Sequence, residues 1–453
     1  MSWNPKYALL ILTSTAITYF SGIYLEKANT IENEKKKDNF KKWCVGISFT
    51  SNLTILFFYK YFNFINESFL GIFTRLELDW KVPNFDVLLP VGISFYTFQA
   101  LSYTMDVYRG KLKAEKHFGK YALFVSFFPQ LVAGPIERST NLLPQFYEKH
   151  KFNYDRVKDG IILMLWGFFK KVVIADRLAI LVNTVYNNPA EYHGIQFLIA
   201  TVFFSFQIYC DFSGYSDIAI GSANVMGYNL MTNFNKPYFS KSISEFWRRW
   251  HISLGTWFKD YLYFPLGGSR ASKLKTYRNI MIVFLTSGLW HGASWNFVIW
   301  GFIHGAYQVI GYELKPIRNK VRSLLRINIK SLFYKIYKIG MTFILVCFAW
   351  IFFRANTLSD AMYIIKSIFE INTPITKETF NLGLNKRELL IAFISLSNLF
   401  LLDFIGKDNK IRKIIKEKPI YFRWILYYIC IFFILIFGEY GQTDASSFLY
   451  FQF

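Results

Sequence analysis

Ile339-Gly-Met-Thr-Phe-Ile-Leu-Val-Cys-Phe-Ala-Trp-Ile-Phe-Phe353 runs fifteen residues without a charged side chain. At 1.5 Å rise per residue, such a run with its flanking turns spans most of a hydrocarbon core about 30 Å thick. Tyr7–Leu25, Leu389–Ile405 and Tyr421–Gly438 are similarly poor in charge. Across 453 residues the chain is 53% apolar and only 18% charged, with 50 Phe, 30 Tyr and 12 Trp. A soluble protein of this length carries more charge and fewer aromatics. These features predict an all-α, polytopic membrane protein.

The net charge of +22 does not point to nucleic acid, because the basic residues gather in short loops beside the apolar runs. Glu26–Lys42 holds six Lys; Lys315–Lys338 holds eight basic residues and no acid; Lys407–Arg423 holds seven basic residues against two acids. The tail after Gly438 has Glu439 and Asp444 and no basic residue. The loops are therefore expected inside and the C-terminus outside, with anionic lipid headgroups as the partner of the positive charge. Cys44, Cys210, Cys347 and Cys430 lie in apolar stretches without CxxC spacing, which predicts neither disulfides nor a metal site. Lys6 and the apolar run after it read as a retained transmembrane helix rather than a signal peptide.

No repeat, linker or low-complexity tract divides the chain, so residues 1–453 are expected to form one domain. The pattern predicts about 10–11 membrane segments. Stretches 7–25 and 43–62 read as ordinary spans. Val87–Tyr108 carries Pro90, Gly92, Ser94, Thr97 and Gln99, and Tyr121–Ile136 is interrupted by Pro129, Gly134 and Pro135. Broken backbone at membrane depth is tolerated only where protein or a cavity covers it, so residues 85–310 are expected to surround one. Ser242–Phe264 has helical periodicity, with Trp247, Trp250 and Trp257 in an apolar arc of about 120°. Glu245, Arg248, Arg249, Lys259 and Asp260 fill the remainder. This predicts a single interfacial helix with its tryptophans at headgroup level and His251 at the edge of the arc.

Three of the six histidines, His117, His150 and His193, fall in polar connections and read as solvated. His291 stands in Ser287-Gly-Leu-Trp-His-Gly-Ala-Ser-Trp-Asn296, inside an apolar segment. Intramembrane ionisable groups usually face a cavity, and the flanking glycines admit a close substrate. The neighbouring Ser and Asn favour a functional role over a structural tie between helices. His304 lies about 20 Å further along a continuous helix, so it reads as structural. His251 suits either a cavity mouth or an interfacial anchor, and both readings stand.

Asp211 and Asp217 are carboxylates in an apolar run, so they must be paired or face the interior. Ser213 and Asp217 share a helical face. The cluster either lines a polar tunnel and orients a histidine or clamps two helices. Lys170 and Lys171 either attract a cofactor's phosphates at the inner face or snorkel from a helix end. There is no P-loop, no GxGxxG with a suitable acid, no HExxH and no GxSxG. Chemistry here is expected to run through histidine, without metal or serine nucleophile.

Phe246-Trp-Arg-Arg-Trp-His251, Trp257-Phe-Lys-Asp-Tyr-Leu-Tyr-Phe-Pro-Leu-Gly-Gly268 and Gly288-Leu-Trp-His-Gly292 with Trp295-Asn296 resemble signature blocks of the membrane-bound O-acyltransferase superfamily (MBOAT). Pro90–Gln99, Phe128–Ile136, Asp211–Asp217 and Tyr450–Phe453 agree with the branch of bacterial alginate and peptidoglycan O-acetyltransferases. The resemblance is dense over 85–310 and looser elsewhere. It implies a fold of re-entrant and interfacial helices around a central tunnel. It implies acetyl-CoA as a cytoplasmic donor rather than a bound cofactor, and O-acetylation of a surface polysaccharide. A serine-esterase-like partner outside the membrane is implied too, in a multi-pass protein of the bacterial cell membrane. Family histidines map to His291 and His251; Trp247, Arg248, Trp250, Lys170, Lys171 and Asn296 are the candidates for holding the donor. Family chains generally place a further apolar helix before the segment resembling Trp3–Tyr7, which leaves the outer helix count open. His291 would take the acceptor's hydroxyl proton, or carry the acyl group itself. Two rivals remain: a proton-coupled transporter relaying through Asp211, Asp217, His251 and His291, and a silent scaffold of an export complex. The absence of paired halves argues against the first, and the presence of both histidines against the second.

Overall fold

The computed structural model shows helices and no strand among the described residues, which are 6–440 except 81, 86–88, 271, 371–377, 381 and 406–416. Tyr450–Phe453, Asp444 and most of Lys407–Arg423 lie outside them. Four helices are long and apolar enough to cross a membrane: Tyr7–Thr30, Ile195–Met226, Leu332–Arg354 and Ile420–Phe437. In chain order the helices are α1 (Lys6–Lys27), α2 (Glu34–Leu56), α3 (Phe62–Arg75), α4 (Ile93–Tyr108), α5 (Phe118–Ser126), α6 (Ser139–Gln145), α7 (Tyr154–Phe168), α8 (Asp176–Asn187) and α9 (Ile195–Met226). They continue with α10 (Ile243–Arg249), α11 (Ile252–Phe258), α12 (Lys273–His291), α13 (Trp295–Glu313), α14 (Lys315–Leu324), α15 (Leu332–Arg354), α16 (Leu358–Phe369), α17 (Lys386–Ile405) and α18 (Ile420–Phe437). The apolar run Leu389–Ile405 forms most of α17.

α9 is the central helix. Its 32 residues make it about 48 Å long, more than the hydrocarbon thickness. In its most apolar window 67% of residues are buried, against 6% in α18, which therefore presents its side chains to lipid. This burial is what allows α9 to carry two aspartates. α7 packs antiparallel along α9 through glycines seven residues apart on each helix. A Cβ on Gly167 would lie 2.6 Å from the Gly214 carbonyl oxygen, and one on Gly160 2.7 Å from that of Gly221. Small residues let two backbones approach where lipid supplies no hydrophobic drive.

Hydrogen bonds orient the helices. α1 and α4 run the same way, and Glu26 accepts from the Ala114 amide at 2.9 Å, just past the end of α4. α2 runs back, joining α1 through Ser14 and Asn52 at 2.5 Å. α12 and α13 form a hairpin whose open end is held by Lys273 and Glu313 at 2.7 Å. The loops after α1, α4 and α13 thus share one end of the bundle, and that end is strongly basic. α12 finishes at His291 toward the opposite end, beside the chain that follows α2.

Ser242–Phe264 is not one helix. α10 stops at Arg249, His251 takes a left-handed backbone (φ 44°), and α11 starts at Ile252. A five-residue π turn, Lys259–Tyr263, follows. Tertiary hydrogen bonds replace those lost at the break. The Asn235 amide donates to Arg249 O at 2.9 Å, and the Ile252 amide donates to Asn233 O at 2.9 Å. The Asn233 side chain also accepts from the Ser253 amide and hydroxyl. Nor do two of its three tryptophans face outward. Trp250 and Trp257 are 1% and 6% exposed, the first against Trp350 and the second stacked on Phe98 at 3.9 Å.

Candidate active site

His251 and His291 come together at the heart of the bundle. Their ring centroids are 6.2 Å apart, and the exposures are 0% and 4%, so His251 is a buried group and not the boundary residue that its helical arc predicts. Aromatic rings hold both imidazoles. Phe212 of α9 meets His251 edge-on at 4.6 Å, Trp290 touches both, and Trp300 and Phe353 stand edge-on to His291 at 5.0 and 5.4 Å. The left-handed break at His251 is what points this ring inward. His291 is placed by the closed end of the α12–α13 hairpin, where Gly288 faces the backbone of Phe297.

The hairpin also alters the position of His304. The helix ends at His291 and restarts at Trp295, so His304 returns antiparallel instead of lying far along one axis. Trp300 contacts both rings, His291 at 5.0 Å and His304 at 4.9 Å. Trp247 donates its indole N–H to His304 Nδ1 at 3.2 Å.

A cavity of about 60 Å³ opens beside His291, lined by Pro90, Gly92, Ser94, Trp290 and Lys60. Gly92 has φ 79°, and a Cβ there would sit 2.5 Å from Leu131 O, so the Pro90–Ser94 turn requires glycine. The broken region therefore does border a cavity, from Leu89 to Phe95 and at Val132. Lys60 was hidden by its place near the end of an apolar run, where a lysine reads as snorkelling. The signal that could have singled it out is Lys60-Tyr61, two polar-tipped side chains in succession, in a segment that folds as a π turn, Phe57–Tyr61.

The other expected site residues lie elsewhere. Lys170 pairs with Asp217 at 2.7 Å and donates to Ser213 at 2.9 Å; Lys171 pairs with Asp211 at 2.5 Å and Asp176 at 2.8 Å. Both lysines stand in a π turn, Phe169–Ala175. Both lysines hold carboxylates in these ion pairs. Asp211, Ser213 and Asp217 accordingly clamp α9 to the α7–α8 helix, while it is Phe212 that meets His251. Arg248 is exposed and donates to Ser244 at 3.3 Å. Asn296 is buried and donates to Ala355 O at 2.8 Å, tying α13 to the end of α15. Neither these two nor Trp247 or Trp250 lines the cavity.

Taken together, the site can position a hydroxyl near an imidazole in a pocket lined by Phe95 and Trp290 as well as by Lys60 and Ser94. Among the described residues no group of His, Cys, Asp and Glu is arranged to hold a metal.

Comparison with known proteins agrees with this chemistry. Residues 115–356 match MBOAT, the membrane-bound O-acyltransferase family. The chain is 37% identical over 89% of its length to "Probable alginate O-acetylase AlgI" of Pseudomonas aeruginosa, covering 75% of that protein. It is 35% identical over 82% of its length to the peptidoglycan O-acetyltransferase of Helicobacter pylori, covering 71%. It is 31% identical over 60% of its length to the teichoic acid D-alanyltransferase of Bacillus subtilis, covering 71%. The chain belongs to the membrane-bound O-acyltransferase family and is a membrane-embedded acyltransferase.

Proposed function

We propose that this protein takes an acetyl group from acetyl-CoA at the basic, cytoplasmic end and passes it to an acceptor hydroxyl near the opposite end. The eventual product is an O-acetylated surface polysaccharide. The observation that carries this reading is His291, a buried imidazole at the end of α12 that lines a cavity and faces His251 at 6.2 Å. An unprotonated His291 removes the acceptor's proton as its oxygen attacks the thioester carbonyl. His251, one ring away, orients His291 or the donor. Acyl transfer through His291 itself is the alternative route. Relatives that act on alginate and on peptidoglycan support a polysaccharide acceptor.

The setting is the bacterial cytoplasmic membrane, crossed several times, with the basic loops inside. An extracytoplasmic esterase-like transferase would collect the acetyl group and place it on the polymer. The test is the O-acetyl content of surface glycans in cells making wild type, His291→Ala or His291→Gln at equal membrane abundance. Loss in both variants supports the reading; unchanged acetylation in both overturns it.

A further inference from the structure

Lys60 is a basic side chain where the fold alone asks for less. The last carbonyls of any helix lack intrahelical partners. Tyr61 satisfies Leu289 O at 2.9 Å, and Lys60 Nζ donates to Trp290 O at 2.7 Å and His291 O at 3.1 Å. Neutral donors or water can cap such an end, whereas a full charge at membrane depth is costly. The clamp lysines, Lys170 and Lys171, each sit on carboxylates. Among the described residues no carboxylate pairs with Lys60. Among those residues its third N–H reaches only Ser94 Oγ, at a long 3.4 Å. The π turn Phe57–Tyr61 rotates the residue onto the face of the cavity, and such turns gather at functional sites. Lys60 also lies outside the segment that matches the family, 115–356.

We infer that Lys60 is a catalytic residue whose ammonium, bound to the backbone of His291 and lining the same cavity, hydrogen-bonds the acyl carbonyl oxygen as it becomes negative. This rests on the acyl-transfer reading above. The acceptor oxygen forms a bond to the thioester carbonyl carbon and loses its proton to His291. The carbonyl π pair moves onto oxygen, where the Lys60 N–H now on Ser94 meets it. The pair then returns, the C–S bond breaks, and the departing sulfur takes the proton from His291. Lys60 keeps its own protons throughout. A preorganised donor of this kind is worth most where water is excluded.

The test is acetyl-CoA cleavage by the purified full-length protein in lipid nanodiscs. Lys60→Met should lower kcat about 10²–10³-fold, the loss typical of one oxyanion donor. KM for acetyl-CoA should stay within about twofold, the split expected for a contact made only in the transition state. Lys60→Cys, in a Cys430→Ala background because Cys430 is the exposed natural thiol, should regain activity on aminoethylation with 2-bromoethylamine. The inference is overturned if Lys60→Met keeps kcat within about threefold of wild type while His291→Ala is inactive. It is equally overturned if activity and thermal stability fall together and aminoethylation restores neither. If wild type and His291→Ala cleave acetyl-CoA alike, or not at all, the acyl-transfer reading itself falls and takes the role of Lys60 with it.

Discussion

The imidazoles of His251 and His291 lie 6.2 Å apart, although one sits at a break between two short helices and the other ends a helix of the bundle. On the acyl-transfer reading proposed above, two histidines inside one aromatic shell act on the same reacting group or on each other.

Their substitutions should therefore not add. His291→Ala is expected to reduce acetyl-CoA cleavage by about 10²–10⁴, the range for a lost general base. His251→Ala should reduce it less, and the double variant should resemble His291→Ala alone, because groups acting as a unit are non-additive. A double-mutant cycle on kcat measures this; strictly multiplicative losses would separate the two residues.

Lys170 and Asp217 form a clamp, with side-chain exposures of 4% and 22%. Lys170→Ala should lower the melting temperature in detergent by stranding Asp217, at a cost of a few kcal/mol, about 3 at most given its partial exposure. KM for acetyl-CoA in the surviving folded fraction should not change. A selective rise in KM with unchanged melting would instead return Lys170 to the donor-binding role.

The α7–α9 contact depends on backbone approach. Gly167→Leu should deplete folded protein in the membrane, since its Cβ alone would press on Gly214 O. Gly46→Ala, with nothing within 4 Å of the added carbon, is the control and should accumulate normally. Size-exclusion profiles of the solubilised proteins give the comparison.

Trp247 is tied to His304 by its indole N–H. Trp247→Phe keeps an aromatic ring, though a smaller one, and loses the N–H that reaches Nδ1 at 3.2 Å. Stability should fall by about 1 kcal/mol, the usual worth of a net hydrogen bond. Thermal melting reads the loss, and a KM for acetyl-CoA equal to wild type would confirm that the indole does not touch the donor.

Class, charge polarity and one member of the site were legible in the sequence by itself. Charge-free runs such as Ile339–Phe353 specify membrane helices because hydrocarbon excludes charge one residue at a time, a cost that needs no knowledge of neighbours. His291 was legible for the same reason, as an ionisable group among glycines in an apolar segment. What the sequence could not determine was which helices touch. Periodicity predicts one amphipathic helix over Ser242–Phe264, yet hydrogen bonds accepted by Asn233 and donated by Asn235 stabilise a left-handed break that turns His251 inward. Asp211 and Asp217 needed partners on any reading, but only the packing of α7–α8 against α9 supplied Lys171 and Lys170. Lys60 reached the cavity through a π turn and a contact across 230 residues of chain. Burial costs are local and can be read along the chain; partners are chosen by tertiary packing, and the chemistry of the cavity follows from those partners.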